Sequence, residues 1–277
     1  MTIQTALEQG TRILTEAAIS APRLTAEVLL SHAIRCERTW LYAHSTDELK
    51  ELWWIHYGRY LNERLSGKPT QYITKKQEFY GREFAVSPDV LIPRPETEHV
   101  VEAALEKLGG AAPGSIVDAG TGSGAIAVTL GLETGHSVIG TDISVAAVRV
   151  AQKNAVRLGA ARVSFVTCDL VSAIADRSVG LLVSNPPYVP STDKTVLQRE
   201  VREFEPEVQR NRRRIAMSAA PPAINIHVAG SGVDATVMKN GVSIPLPAPT
   251  SVPVNWPLKL NRRTVLPVSA NVIGSNI

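Results

Sequence analysis

The sequence predicts an α/β protein: a doubly wound, Rossmann-like parallel sheet preceded by a small helical domain and a β-hairpin linker. Three observations predict it. Apolar residues recur at helical spacing through the first 65 positions. From Ser115 onward, short apolar runs alternate with helical segments, the pattern of strands joined by crossover helices. Asp118, Asp142, Asp169 and Asn185 each stand where one of those runs ends, the edge at which open α/β sheets bind ligands.

Residues 1–70 read as a helical bundle. Ile3, Leu7, Leu14, Ala17 and Ala18 mark a first helix, and Pro22 opens a second with Leu24, Val28, Leu29 and Ile34 as its apolar positions. A third runs from about Asp47 to Leu65 through Leu49, Leu52, Trp53, Tyr57, Tyr60 and Leu61, and Ser66-Gly67-Lys68-Pro69 stops it. Residues 71–98 form the linker: Glu78 to Ile92 alternates as a hairpin does, with Gly81 in the turn. Arg94, between two prolines, is held extended, either to anchor an acidic partner or to pair with Glu96 or Glu98.

Residues 99–208 carry the sheet. Ser115 to Asp118 is a buried strand and Ala125 to Leu130 starts a helix. Between them, Gly120, Gly122 and Gly124 give a Gly-x-Gly-x-Gly turn, where the backbone bends tightly and approaches a ligand that a Cβ would block. A dinucleotide fingerprint places its third glycine one residue later; this variant, preceded by an acid, favours S-adenosylmethionine, which has no pyrophosphate to seat. Val138 to Asp142 is the second strand, and its terminal carboxylate can accept from both ribose hydroxyls. The helix from Ala146 to Leu158 closes at Gly159, Val163 to Thr167 is the third strand, and Gly180 to Ser184 delivers Asn185.

Asn185-Pro186-Pro187-Tyr188 follows the glycine turn by about sixty residues. The Asn185 side-chain carbonyl and the Pro186 carbonyl offer two acceptors that can hold both hydrogens of an –NH2 group, and the prolines bring no competing N–H. An amide nitrogen is a poor nucleophile, so fixing both N–H bonds aims it at a methyl donor and favours pyramidalisation. Tyr188 adds an aromatic face for stacking, and a cation–π contact with a sulfonium.

Asp118-Ala-Gly-Thr-Gly-Ser-Gly-Ala-Ile-Ala127, Asn185-Pro-Pro-Tyr-Val189 and Val90-Leu-Ile-Pro-Arg-Pro-Glu-Thr-Glu98 resemble the signatures of release-factor glutamine N5-methyltransferases, the PrmC/HemK family. The third stretch, after Gln71-Tyr72-Ile73 and Glu78-Phe79-Tyr80-Gly81, is the most specific. The resemblance implies methylation of the glutamine in the Gly-Gly-Gln loop of peptide chain release factors, with the helical domain helping to dock the factor. It implies that Gly120, Thr121, Gly122, Ser123, Gly124, Asp142 and Asn185 bind S-adenosylmethionine, that Leu170 lies beside the adenine with Asp169 accepting from its amino group, and that Asn185, Pro186, Pro187 and Tyr188 hold the substrate glutamine. Asn-Pro-Pro-Tyr is shared with adenine-N6 methyltransferases of RNA and DNA, which leaves that substrate as the alternative.

The resemblance stops near Val208. Residues 209–277 hold eight Lys or Arg against one acid, Asp234, a charge of +7 that leaves the first 208 residues at −4 within the chain's net +3. Eight of the eighteen prolines lie in this tail, among them Pro245, Pro247 and Pro249. An acid-poor, proline-rich stretch of this kind does not readily build a packed core and predicts disorder. It is a basic extension that binds RNA through Arg212-Arg213-Arg214, a solvated linker, or the product of a lost reading frame, the explanation the coincident break in likeness and composition favours. Without the family's closing strands, the chain could also be a cofactor-binding protein that no longer catalyses.

The −4 charge of the first 208 residues argues against nucleic acid as a partner except through the tail. No apolar run approaches the roughly 20 residues of a membrane span, and Thr2 to Gln9 lacks a signal-peptide pattern. Two cysteines in separate regions, Cys36 and Cys168, predict reduced thiols in a cytoplasmic protein. The six histidines are scattered without metal-ligand spacing, so no metal is expected.

Overall fold

The computed structural model describes residues 1–108, 115–175, 178–185, 204–206, 225–227, 236–238 and 243–245. The chain divides into two compact units, Met1–Leu246 and Pro247–Ile277, and every described residue belongs to the first.

Five helices make up the N-terminal region: α1 (Ile3–Glu16), α2 (Pro22–Ile34), α3 (Arg38–Ala43), α4 (Glu51–Leu65) and α5 (Thr70–Thr74). Thr2 caps α1, its hydroxyl accepting from the Thr5 N–H. Two further free N–H groups of that first turn, on Ile3 and Gln4, donate to the carbonyls of Asp47 and Ser45 at 3.0 and 2.8 Å. That pairing, with the Leu49 N–H on the Met1 carbonyl at 2.8 Å, occupies the backbone before Lys50. Hence α4 begins at Glu51 rather than near Asp47, and Leu49 packs into the core from outside the helix. The apolar positions are also redistributed. Ala17 and Ala18 lie beyond α1, while Leu24 and Leu52 face outward, 45 and 62% exposed. The core takes Ile3, Leu7, Leu14, Leu29, Leu30, Leu41, Tyr57 and Leu61, each large side chain contributing about 1.5–3 kcal/mol by burial. Glu27 is buried in α2 and answered by Arg23 and Arg38 at 2.7 and 3.0 Å.

The hairpin is shorter than its alternation suggests. Strands β1 (Lys76–Phe79) and β2 (Arg82–Ala85) pair antiparallel around Tyr80 and Gly81, both at positive φ, the two-residue turn whose twist matches the strands. Val86, Val90 and Ile92 are not strand; they pack in a loop with Tyr72, Ala147 and Phe204. Tyr72 donates its hydroxyl to the Val90 carbonyl at 2.7 Å. Arg94 pairs with neither Glu96 nor Glu98: its guanidinium meets Glu205, whose side chain is 2% exposed, while Glu98 accepts from the Tyr80 N–H at 2.8 Å. A 3-10 turn, Pro95–Thr97, leads into α6 (Glu98–Leu108).

The central sheet runs β5 (Val163–Thr167), β4 (Val138–Asp142), β3 (Ser115–Ala119), β6 (Val179–Ser184), β8 (Thr236–Met238). The first four are parallel and β8 is antiparallel to β6. Helices α7 (Ala125–Thr134) and α8 (Val145–Leu158) supply the crossovers. Ile116, Val138, Leu181 and Val183 of the strands bury against Val100, Ala104, Ile126, Val128 and Leu130 of α6 and α7. Within the tail, the described residues form β8 and a further parallel pair, β7 (Asn225–His227) with β9 (Ser243–Pro245). Arg212, Arg213 and Arg214 lie outside the described residues.

Candidate functional site

Chain order reverses at β3, which pairs with β4 on one side and β6 on the other. The crevice beyond such a switch point is where doubly wound sheets bind ligands. Ala119 pairs with Ser184, so Gly120 and Asn185 leave adjacent strands at the same level. The Ser184 hydroxyl fixes that level by donating to the Ala119 carbonyl at 2.7 Å. The glycine turn and the Asn-Pro-Pro-Tyr entry therefore share one edge of the sheet.

Gly120, Gly122 and Gly124 stand at φ 77°, 54° and 80°, a backbone region that a side chain disfavours. The Gly120 and Thr121 N–H groups both donate to the Thr141 carbonyl at 2.8 Å. A Cβ on Gly120 or Gly122 would project into open space, whereas one on Gly124 would lie 3.0 Å from the Ala151 Cβ. The first two glycines thus keep room for a ligand and the third lets α8 approach. Thr121 and Ser123 are buried.

Asp118 is fully buried beneath this turn. Its Oδ2 accepts from the Thr121 hydroxyl at 2.6 Å and the Ala127 N–H at 3.2 Å, while Oδ1 has no partner among the described residues. Burial pushes its carboxyl up to about 7, against the pull of those two donors, and the nearby Asp142 charge adds to the rise. A buried, unanswered carboxylate oxygen calls for a donor or a cation.

Asp142, at the end of β4, accepts from the Gly122 N–H through Oδ2 and the Ser144 N–H through Oδ1, both at 2.9 Å. Each oxygen keeps further lone pairs. Leu170 sits at φ 50°, its carbonyl taking the hydroxyl of the buried Thr141 at 2.6 Å and the Cys168 thiol at 3.3 Å. Asp169 beside it is exposed. The Asn185 amide donates from Nδ2 to the Thr97 hydroxyl oxygen at 2.8 Å, leaving a buried Oδ1 with no partner among the described residues. Pro186, Pro187 and Tyr188 lie outside the described residues.

Three contributors escaped the sequence reading. Asn154, fully buried in α8, exchanges hydrogen bonds with Ala85 in both directions and donates to the Ser123 carbonyl at 2.9 Å, tying hairpin to glycine turn. Its only signal was a polar residue on an otherwise apolar helix face. Ile143, directly after Asp142, is 63% exposed. A large apolar side chain left in solvent at a ligand-binding edge offers a surface to a flat ring. Thr97 was legible only as part of its motif. Among the described residues, no group of His, Cys, Asp and Glu is arranged to hold a metal ion.

Comparison with known proteins extends this picture along the chain. Residues 5–74 match the family model of the PrmC N-terminal domain, and residues 98–205 the methyltransferase small domain. A release factor glutamine methyltransferase of Koribacter versatilis is 45% identical over 208 residues, 74% of this chain and 74% of the relative. Enzymes of the same name from Nitratidesulfovibrio vulgaris and Moorella thermoacetica are 43 and 40% identical, over 74 and 82% of this chain and 70 and 78% of their own lengths. With both regions matched and more than two thirds of each relative covered, the chain belongs to the release factor glutamine methyltransferase family.

Proposed function

We propose that this enzyme transfers a methyl group from S-adenosylmethionine to the side-chain amide nitrogen, N5, of the glutamine in the Gly-Gly-Gln loop of peptide chain release factors. The observation that carries the reading is the buried Asn185 Oδ1, which has no partner among the described residues and lies at the edge it shares with the glycine turn. Leaving such an acceptor unmet costs about 1–3 kcal/mol, and an amide –NH2 is a group that would meet it.

The cradle fits the cofactor. Asp118 Oδ1 would take the cationic amino group, Asp142 the ribose hydroxyls, Ile143 and Leu170 the adenine, and Asp169 its amino group. Gly120 and Gly122 leave open space in the turn, where Thr121 and Ser123 alternate with them. When bound, S-adenosylmethionine supplies an electrophilic methyl group on a sulfonium leaving group. Asn185 Oδ1 and the Pro186 carbonyl hold the two amide hydrogens, orienting the nitrogen lone pair toward that methyl. Tyr188, after Pro187, supplies the stacking face. The nitrogen gains the methyl and sheds one proton, and the rate gain is mainly positioning, with no general base among the groups named.

An enzyme with this substrate works in the cytoplasm, where release factors act. No helix among the described residues is long and apolar enough to cross a membrane. Peptide mapping of a release factor after incubation with enzyme and cofactor tests the assignment: the methyl belongs on the Gly-Gly-Gln glutamine, and its appearance on RNA or DNA instead would move the activity to adenine N6.

A further inference from the structure

The Pro95–Thr97 turn brings one side chain to the site. Arg94 before it is committed to Glu205, Glu98 after it accepts from Tyr80, and Glu96 is exposed. Thr97 is 7% exposed, held by its N–H on the Arg94 carbonyl at 3.0 Å, and its hydroxyl oxygen meets Asn185 Nδ2 at 2.8 Å. The two residues are 88 positions apart, so the contact joins the linker to the end of β6.

We propose that Thr97 is a positioning residue: by taking one Nδ2 hydrogen, its hydroxyl fixes the Asn185 amide with Oδ1 turned to receive the substrate –NH2. The inference rests on the glutamine-methylation reading of this site. A primary amide can present either its oxygen or its nitrogen after a half-turn, and only the oxygen accepts an N–H. Anchoring the nitrogen on Thr97 selects the useful face, and donation from Nδ2 polarises the amide and strengthens Oδ1 as an acceptor. The buried, unpartnered Oδ1 is the arrangement this anchoring produces. Valine would keep the shape of Thr97 without the hydroxyl; serine would keep the hydroxyl.

Full-length chain, an unmodified release factor and side-chain amide NMR provide the test. Thr97→Val is expected to lower kcat roughly 10- to 100-fold, the scale of a mispositioned reacting group. Cofactor affinity should stay within about twofold, Thr97→Ser should recover most of the rate, and Thr97→Val should cost nothing further in an Asn185→Ala background. The Asn185 –NH2 signals, identified by their loss in Asn185→Ala, should move toward those of a free amide in Thr97→Val and stay in place in Thr97→Ser. Wild-type kcat in Thr97→Val, or unmoved Asn185 signals, would overturn the inference, as would a serine variant as slow as the valine one. If the wild type methylates no release factor, the functional reading fails separately, and the amide signals still decide whether Thr97 holds Asn185.

Discussion

The buried Thr141 hydroxyl donates to the Leu170 carbonyl at 2.6 Å and holds that residue at φ 50°, a conformation a leucine adopts at a cost. Strained backbone of this kind persists when its surroundings over-determine it. Here the bond couples the end of β4 to Leu170, the residue proposed to lie against the adenine. Thr141→Val should release Leu170 and weaken S-adenosylmethionine binding by roughly 2- to 13-fold, the value of one hydrogen bond. Thr141→Ser should bind normally. Titration calorimetry on the two variants separates the hydroxyl from the methyl group.

The proposed contact between Asp118 and the cofactor's amino group predicts that binding depends on pH. Its folded-state carboxyl, raised to about 7, stays protonated well above the ordinary value of 3.8. Between those two values the folded chain holds a proton that the unfolded chain has lost, so this group makes stability fall as pH rises from about 4 to about 7 and adds no slope above. A cationic amino group beside Oδ1 favours the ionised form, so binding expels the proton. Affinity for S-adenosylmethionine should therefore strengthen as pH rises toward about 7 and then level, by at most about tenfold per pH unit. In Asp118→Asn that dependence should vanish. A profile unchanged in the variant would remove Asp118 from the cofactor's contacts.

Gly124 and Gly135 share positive φ, 80° and 68°, but not their surroundings. A Cβ at Gly135 meets nothing, while at Gly124 it meets the Ala151 Cβ at 3.0 Å and its Cα at 3.2 Å. Gly135→Ala should cost only the left-handed strain, about 1–2 kcal/mol. Gly124→Ala should add about 1–3 kcal/mol of overpacking. Urea unfolding of both variants checks the difference; equal losses would mean that α8 gives way freely.

The Arg94–Glu205 pair joins the linker to the Phe204–Pro206 segment, with the Glu205 side chain 2% and the Arg94 side chain 32% exposed. Removing either partner breaks a pair whose carboxylate is buried, so Arg94→Ala and Glu205→Ala should each destabilise. The double variant should lose less than their sum, with a coupling of about 0.5–3 kcal/mol. Additive losses would show that the pair carries no stability of its own.

Much of this was legible in the sequence because local chemistry dictated it. A turn of three glycines, and apolar runs that stop near Asp118, Asp142 and Asn185, predict a ligand-binding edge, and the structure brings the glycine turn and Asn185 to one edge of the sheet. What could not be read were the long-range partners. Arg94 had two acids within four residues, yet it found Glu205 across 111 positions, because the buried carboxylate needs a cation more than exposed neighbours do. Asn154 looked like one more position on a helix face, and its two hydrogen bonds with Ala85 exist only once the hairpin folds onto α8. The start of α4 was misplaced because Ser45, Asp47 and Leu49 give their backbone groups to the first residues of the chain, a competition no helical periodicity reveals.

The most direct test of the central claim is tritium transfer from labelled S-adenosylmethionine to an unmodified release factor, with RNA and DNA in parallel. The factor's Gly-Gly-Gln→Gly-Gly-Ala variant and the Asn185→Ala enzyme serve as controls. The account predicts label on the factor, lost with the altered factor and reduced by at least about 100-fold with the altered enzyme. Label that survives the glutamine substitution, or that goes to nucleic acid, would contradict it.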